Sequence, residues 1–254
     1  MLQFNDVTFS YPGKNLPLMQ DLSFQIKKGE FVCLVGHSGC GKSTIFRLVN
    51  QLLTPNQGEI LVNGKNIAGQ KNYCGYMPQS DLLFPWRSVK ENVMLPLEIQ
   101  GNLSAKERNE KAEEALQMVG LSEWADKSPA ELSGGMRQRV AFARTVMTGS
   151  DLLLLDEPFS ALDYLTRLSM REWLLQQWEQ DKKTILFITH DVEEAVYLSN
   201  RVLVAEEIPM TSLSSVEVPA GYPRTRERMR EPGMLLLKEE LIDRLLDDDG
   251  EGTA

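Results

Sequence analysis

The sequence predicts an α/β fold in which a parallel β-sheet is covered by helices on both faces. First, the apolar strand FVCLV, residues 31–35, is followed by a glycine-rich loop and an amphipathic helix. Second, the apolar runs LLLLD (152–156), TILFIT (184–189) and RVLVA (201–205) alternate with helical patterns. Such alternation is typical of a parallel sheet that is buried on both faces.

The remaining elements follow from periodicity along the chain. Residues 2–31 read as short strands, because LQFNDVTFSY alternates in polarity and KKGE forms a turn between two apolar runs. Two further strand-like pieces, GEILVNG and NYCGYM, follow the first helix. From about 80 to 147 the pattern becomes helical, and Ser104 with Glu107 has the spacing of a capping box. Residues 206–254 are predicted to form a C-terminal extension with an amphipathic helix and an acidic, disordered tail.

Composition excludes several classes of protein. The chain has 254 residues, of which 42% are hydrophobic, and its formal charge of -9 disfavours a dedicated nucleic-acid binder. Its three cysteines, Cys33, Cys40 and Cys74, do not have the spacing of metal ligands, which indicates small thiols in a reducing compartment. No window approaches the roughly 18 apolar residues of a membrane-spanning helix, and no leader pattern begins the chain. We therefore expect a soluble cytosolic protein.

The glycine-rich loop has the pattern G-x-x-x-x-G-K-S between a strand and a helix, which predicts a triphosphate site. Its backbone N–H groups and the helix dipole would hold the phosphates, Lys42 would reach the outer phosphates, and the Ser43 hydroxyl would bind magnesium. The predicted binding residues of this loop are Gly36, Ser38, Gly39, Cys40, Gly41, Lys42, Ser43 and Thr44. By itself, the loop identifies only a nucleotide binder, and a chance glycine turn is the alternative.

Two further motifs follow the loop. In LLLLDEP, Asp156 ends an apolar strand, where a second magnesium contact is needed, and Glu157 follows as a base that polarises water. A solvated acidic turn is the alternative. In LSGGMRQR, Ser133, Gly134 and Gly135 open a second glycine-rich helix N-terminus, which can also meet an anion.

Together, these motifs make the chain resemble the ATP-binding cassette (ABC) ATPases, in which LSGGMRQR corresponds to the signature sequence. The resemblance implies a P-loop NTPase (RecA-like) parallel-sheet core, an antiparallel β subdomain and a helical signature subdomain at about 80–147. It covers residues 1–205, which we expect to form the ABC ATPase domain. The signature sequence of one subunit closes on the triphosphate held by the other in this family, so that a second chain is expected.

The resemblance also assigns further residues. Tyr11 matches the aromatic residue that stacks on adenine, Gln79 matches the Q-loop glutamine that senses magnesium and the γ-phosphate, and SALD matches the D-loop at the dimer interface. His190 matches the switch histidine that contacts the γ-phosphate. By themselves, these residues would be a core aromatic, a loop glutamine and a structural histidine. The implied catalytic residues are Glu157, His190 and Lys42, and the implied magnesium ligands are Ser43, Gln79 and Asp156.

The function implied is ATP hydrolysis, with ATP and Mg²⁺ as cofactors, coupled to transport by separate membrane permease subunits. A homodimer is expected at the cytoplasmic face of the membrane, with an extracytoplasmic solute-binding protein acting through the permease and without nucleic acid. The run DLLFPWRSVKENV resembles importers of the nitrate, sulfonate and taurine group. One alternative is a non-transport ABC ATPase that acts on DNA or ribosomes, and another is a nucleotide-binding regulator without turnover.

Overall fold

The computed structural model describes residues 1–14 and 16–247, and the predicted acidic tail from residue 248 onward lies outside the described residues. The chain forms two compact units. Unit 1 comprises Met1–Lys71 and Leu175–Ala254, and unit 2 comprises Asn72–Leu174. The predicted helical subdomain thus falls within unit 2, whereas the predicted boundary at residue 205 stays a prediction.

Strands and helices alternate along most of the chain. The strands are β1 (Leu2–Phe9), β2 (Met19–Ile26), β3 (Phe31–Gly36), β4 (Gln57–Val62), β5 (Lys65–Asn66), β6 (Gly75–Met77), β7 (Leu152–Asp156), β8 (Thr184–Ile188), β9 (Arg201–Ala205) and β10 (Ser214–Glu217). The α-helices are α1 (Lys42–Val49), α2 (Val89–Gln100), α3 (Ala105–Met118), α4 (Gly134–Val146), α5 (Tyr164–Asp181), α6 (Val192–Leu198) and α7 (Pro232–Asp247). Short 3₁₀ turns cover Ser122–Trp124, Pro129–Glu131 and Arg228–Arg230.

Unit 1 contains two sets of strands. The first is an antiparallel sheet in the order β2-β1-β4-β5. In the second, β3 lies between β8 and β9 and is parallel to both, with Cys33 paired with Phe187 on one side and Val202 on the other. The predicted parallel arrangement is therefore confirmed, and so is the antiparallel sheet. Burial from both faces explains why FVCLV is apolar at every position, and it raises the pKa of the Cys33 thiol.

Strand β10 was not predicted from the sequence. It pairs antiparallel with β9, but its sequence SSVE alternates between exposed and half-buried positions and contains no apolar run. In its neighbour β9, by contrast, four of the five residues are both apolar and buried. An edge strand of this kind lacks the hydrophobic signal on which sequence-based assignment depends.

Unit 2 combines the parallel pair β6 and β7 with helices α2, α3 and α4. The capping box at the start of α3 is confirmed: the Ser104 hydroxyl accepts from the Glu107 backbone N–H at 3.3 Å, and the Glu107 carboxylate accepts from the Ser104 N–H at 2.8 Å. These two bonds lower the pKa of the Glu107 carboxyl group. Ser88 and Glu91 form a second capping box at the start of α2. Among the described residues, no helix is both long enough and apolar enough to span a membrane.

Candidate functional site

The glycine-rich loop of unit 1 joins β3 to α1. Gly41, the N-cap of α1, has a φ of 108°, and a Cβ atom there would lie 3.1 Å from Leu18 Cδ2. A residue other than glycine would therefore be strained by both backbone and packing. Lys42 Nζ donates to the carbonyl oxygens of Gly36 at 2.7 Å and His37 at 2.6 Å. These bonds hold the ammonium group against the loop at the N-terminus of α1, where backbone N–H groups and the helix dipole attract an anion.

The other side chains of the loop differ in their exposure. Ser38 and Gly39 are exposed, and Ser43 is half-buried. Cys40 is only 2% exposed, and its Sγ lies 3.8 Å from Lys42 Nζ. Cys40 is therefore packed within the loop beside the lysine rather than displayed at its surface.

Tyr11 is tied to the same loop and helix. Its hydroxyl lies 3.0 Å from the hydroxyl of Thr44, a buried residue of α1, and Arg47 Nη1 donates to it at 3.5 Å. The Tyr11 ring meets the Phe9 ring edge-on at 5.0 Å. An aromatic face is thus fixed close to the phosphate loop, as stacking on a nucleobase requires.

His190 of unit 1 lies on the turn between β8 and α6 and is exposed. The residues around it fix this turn. Thr189 Oγ1 donates to Glu194 Oε2 at 2.7 Å, and Asp191 caps α6 by accepting from two backbone N–H groups of its first turn. A well-capped turn gives the imidazole a defined point of attachment.

Unit 2 carries the predicted acidic residues. Asp156, at the end of β7, is 3% exposed. Glu157 follows with a φ of 48°, in the left-handed region that few residues other than glycine adopt. Gln79 Nε2 donates to Glu157 Oε2 at 3.2 Å, so the structure brings these two predicted site residues together. A residue held in this uncommon conformation beside a second polar group is typical of functional sites.

The D-loop, Ser160–Asp163, is attached to Glu157 and to helix α4. The backbone N–H and hydroxyl of Ser160 both donate to the Glu157 carbonyl oxygen, at 3.2 and 3.0 Å. Gln138, a buried residue of α4, donates from Nε2 to Ser160 Oγ and accepts from the Ala161 N–H with Oε1, each at 3.0 Å. One amide group therefore connects the signature helix to the loop that follows Glu157.

The signature sequence begins helix α4 in the predicted way. Ser133 is the N-cap, and its hydroxyl accepts from the Met136 N–H at 3.3 Å. A Cβ atom at Gly135 would lie 3.1 Å from Leu162 Cδ2 and 3.3 Å from the Ala161 carbonyl oxygen. Glycine is needed there because the D-loop packs against the backbone of the helix. Gly134 lies beside it in the first turn, where free N–H groups can bind an anion.

Sequence reasoning missed two arginines that fix the segment after Gln79. Arg137 Nε pairs with Asp81 Oδ2 at 2.9 Å, and Arg144 donates to the carbonyl oxygens of Asp81 at 2.6 Å and Leu82 at 2.8 Å. Burial lowers the pKa of Arg144. The two arginines are seven residues apart and so share one face of α4, which was the signal available in the sequence.

A lysine-bearing glycine loop between a parallel strand and a helix defines the chain as a P-loop nucleoside triphosphatase. More specifically, the chain belongs to the ABC transporter family, since the family model described as ABC transporter matches residues 19–160. It is an ATP-binding and ATP-hydrolysing subunit of such a transporter. The predicted family, fold class and ATPase activity are thereby confirmed.

Relatives and solved structures agree with this assignment. The chain is 43% identical to the formylaminopyrimidine import ATP-binding protein ThiZ of Halalkalibacterium halodurans, over 94% of each chain. It is 39% identical to the aliphatic sulfonates import ATP-binding protein SsuB of Bacillus cereus, over 89% of each chain. A solved dimeric structure of the ATP-binding cassette MJ0796, in a post-hydrolysis state bound to ADP and Pi, matches 87% of this chain and 100% of its own with a TM-score of 0.79 and 29% identity.

Proposed function

We propose that this chain is the ATPase subunit of an importer for small anionic or related solutes, of the nitrate, sulfonate and taurine type, and that it works as a homodimer. The observation that carries the pairing is that each nucleotide-binding motif occurs once in the chain. Relatives named for the import of formylaminopyrimidine and of aliphatic sulfonates support the class of solute.

In the proposed dimer, each ATP is held between the phosphate loop of one chain and the signature sequence of the other. Lys42 and the N-terminus of α1 bind the phosphates, and Tyr11 stacks on the adenine. Ser133 to Gly135 of the second chain contact the γ-phosphate through the N-terminus of α4. Closure of the dimer then depends on ATP, because the triphosphate supplies the contacts that join the two chains.

Glu157 is proposed to orient the attacking water, with Gln79 holding its carboxylate at 3.2 Å. Lys42 and His190 offset the charge that develops on the transferred phosphoryl group. Catalysis of this kind consists mainly of positioning and electrostatic stabilisation. The positive φ of Glu157 sets the direction of its side chain at the end of β7.

The proposed magnesium ligands are Ser43, Gln79 and Asp156. A hydroxyl, an amide oxygen and a carboxylate are oxygen ligands of the kind that Mg²⁺ prefers, and the Gln79 amide donates through Nε2, which leaves its carbonyl oxygen as the ligand. Bound magnesium would neutralise charge on the phosphate oxygens.

Separate permease subunits are proposed to bind the surface after Gln79. Here Leu82 and Trp86 are 62% and 76% exposed, and the Trp86 ring stacks on Phe84 at 5.0 Å. Exposed apolar side chains grouped in this way are typical of a protein-binding surface. Arg137 and Arg144 connect Asp81 and Leu82 to the signature helix, so that a movement of α4 would reach this surface. The chain is therefore proposed to lie at the cytoplasmic face of the membrane as a peripheral subunit, with a solute-binding protein acting on the other side.

Mixing two inactive variants tests the pairing. Lys42→Ala removes the phosphate contact and Ser133→Arg blocks the signature side, so that each homodimer contains only defective sites. In a mixed dimer, one site combines both defects and the other is intact. We expect ATPase activity to return on mixing.

A Lys42→Ala chain mixed with a Lys42→Ala, Ser133→Arg double variant is the matched control, because no intact site can form. Equal activity in the two mixtures would contradict the two-chain site. So would a specific activity that is independent of concentration where sedimentation detects only monomer.

A further inference from the structure

A segment of the C-terminal extension forms hydrogen bonds to the C-terminal end of helix α6 in unit 1. Arg224 is 4% exposed, and its Nη1 donates to the carbonyl oxygens of Val196 at 2.7 Å, Tyr197 at 3.1 Å and Ser199 at 2.5 Å. The Tyr222 hydroxyl donates to the carbonyl oxygen of Leu198, which lies between Tyr197 and Ser199 in the sequence, at 2.9 Å. We call Tyr222 and Arg224 the C-terminal clasp.

The clasp is itself fixed by its surroundings. The Arg224 guanidinium lies 4.4 Å from the centre of the Tyr222 ring, and its Nε and Nη2 donate to the Ala220 carbonyl oxygen at 3.2 and 3.0 Å. The Tyr222 ring in turn lies 4.7 Å from the Trp178 ring. These bonds fix the guanidinium relative to the C-terminal end of α6, its C-cap Ser199 and the segment that carries Arg224.

The chemistry of the clasp matches the end of a helix. The last carbonyl groups of a helix have no partners within it, and a cation there also interacts favourably with the helix dipole. Burial lowers the pKa of Arg224, which reflects the cost of removing a charge from water. An apolar side chain could fill the same volume without this cost, but it could not donate to the carbonyl groups, whereas the guanidinium donates to the end of α6 through Nη1 and to Ala220 through Nε and Nη2.

Helix α6 connects the clasp to the site. It has seven residues and is therefore about 10 Å long, so that it moves as one short rigid piece. Its N-cap is Asp191, the residue that follows His190. The Thr189–Glu194 bond at 2.7 Å joins the other side of the His190 turn to the same helix. A displacement at the C-terminal end of α6 would therefore shift the backbone that carries His190.

We propose that Arg224 is a positioning residue for His190, and that the C-terminal extension thereby takes part in ATP hydrolysis. The inference rests on the proposed function, in which His190 contacts the γ-phosphate. Tyr222 supports the same helix end through a single bond, so its contribution is expected to be smaller than that of Arg224.

The test compares Arg224→Met, Arg224→Lys and Tyr222→Phe with the exposed control Arg230→Met. We expect Arg224→Met to lower kcat by about tenfold while the KM for MgATP changes by less than about twofold, since the phosphate loop is untouched. Arg224→Lys should recover part of the loss, because an ammonium group can still bond to some of the carbonyls. Tyr222→Phe should have a smaller effect, and Arg230→Met should behave as the wild type.

The same substitutions in a His190→Ala background separate positioning from general destabilisation. Single-turnover hydrolysis of radiolabelled ATP measures these slow rates. If Arg224 acts through His190, Arg224→Met should not lower the hydrolysis rate further when His190 is already replaced, because its effect depends on His190. A second tenfold loss in this background would overturn the inference.

A spectroscopic measurement does not depend on activity. The chain contains only two histidines, His37 and His190, so that ¹³C labelling of histidine gives two imidazole signals. Arg224→Met and the milder Arg224→Lys should change the His190 signal in the ATP-bound dimer and leave that of His37 unchanged. An unchanged His190 signal, or an unchanged kcat in both variants, would refute the positioning role. Full activity of His190→Ala alone would instead refute the role proposed for His190.

Discussion

The substitution Gln138→Leu tests whether the signature helix and Glu157 are mechanically connected. It removes the two 3.0 Å bonds to Ser160 and Ala161 but preserves most of the side-chain volume. At about 1 kcal/mol for each hydrogen bond, the free energy of unfolding should fall by about 2 kcal/mol. For a chain of this size, the midpoint of thermal unfolding should fall by about 4–8 °C.

The effect on turnover follows from the same energy. Ser160 donates twice to the Glu157 carbonyl oxygen. When the bonds from Gln138 to Ser160 and Ala161 are lost, the segment that orients Glu157 therefore becomes more mobile. A change of about 2 kcal/mol shifts a local equilibrium by roughly thirtyfold, which is the upper limit that we expect for the loss in kcat. ATP binding should be unchanged, because the phosphate loop keeps all its contacts.

Three measurements on the same preparation decide the result: the rate of phosphate release, the binding of a fluorescent ATP analogue and the midpoint of thermal unfolding. The control is Gln117→Leu, which replaces an exposed glutamine on α3. A lower midpoint with an unchanged kcat would refute the proposed connection and leave Gln138 a purely structural residue. An unchanged midpoint would show that the two hydrogen bonds contribute nothing to stability.

The remaining predictions concern chemistry, stability and thiol reactivity. Glu157→Gln should still bind ATP but hydrolyse it far more slowly, because the charge that aligns water is lost; near-normal hydrolysis would contradict the role proposed for Glu157. Arg201→Met should lower the free energy of unfolding by about 3–5 kcal/mol in chemical denaturation, since it leaves the largely buried Glu30 without its 2.6 Å partner, whereas the more exposed Arg244→Met should cost less than about 1 kcal/mol. Burial raises the pKa of Cys74 to about 12, so its thiolate is scarce at pH 8, and mass spectrometry should detect slow alkylation in the folded protein and rapid alkylation after unfolding.

The parts of the fold that could be predicted have a local cause. Strand β3 is apolar at consecutive positions because both of its faces are buried, and the glycines after it permit a sharp turn into α1. The capping box of Ser104 and Glu107 likewise depends only on residues three apart. In each case a short stretch of sequence contains all the interacting groups, so its pattern is sufficient.

The supporting contacts of the site could not be predicted in this way, because their partners are distant in sequence. Arg224 bonds to carbonyl groups 25 to 28 positions earlier, and Arg137 reaches back 56 positions to Asp81. Arginine and glutamine are also common on solvated helix faces, so the seven-residue spacing of Arg137 and Arg144 places both on one face of α4 but does not reveal their partners.

The contrast between local and long-range contacts explains why the catalytic residues of an ATPase are easier to recognise in a sequence than the residues that hold them in place. Phosphate binding and water activation require particular groups at fixed spacing, and these requirements leave motifs such as GHSGCGKS and DEP in the sequence. Holding those groups in place requires only that a carbonyl or carboxylate find a donor, and many residues at many positions can supply one. Gln138 and Arg224 are two such solutions, each bonded to the backbone of a short segment that leads to Glu157 or His190. We therefore expect substitutions at Gln138 and Arg224 to change turnover in this protein while the motifs themselves remain unchanged.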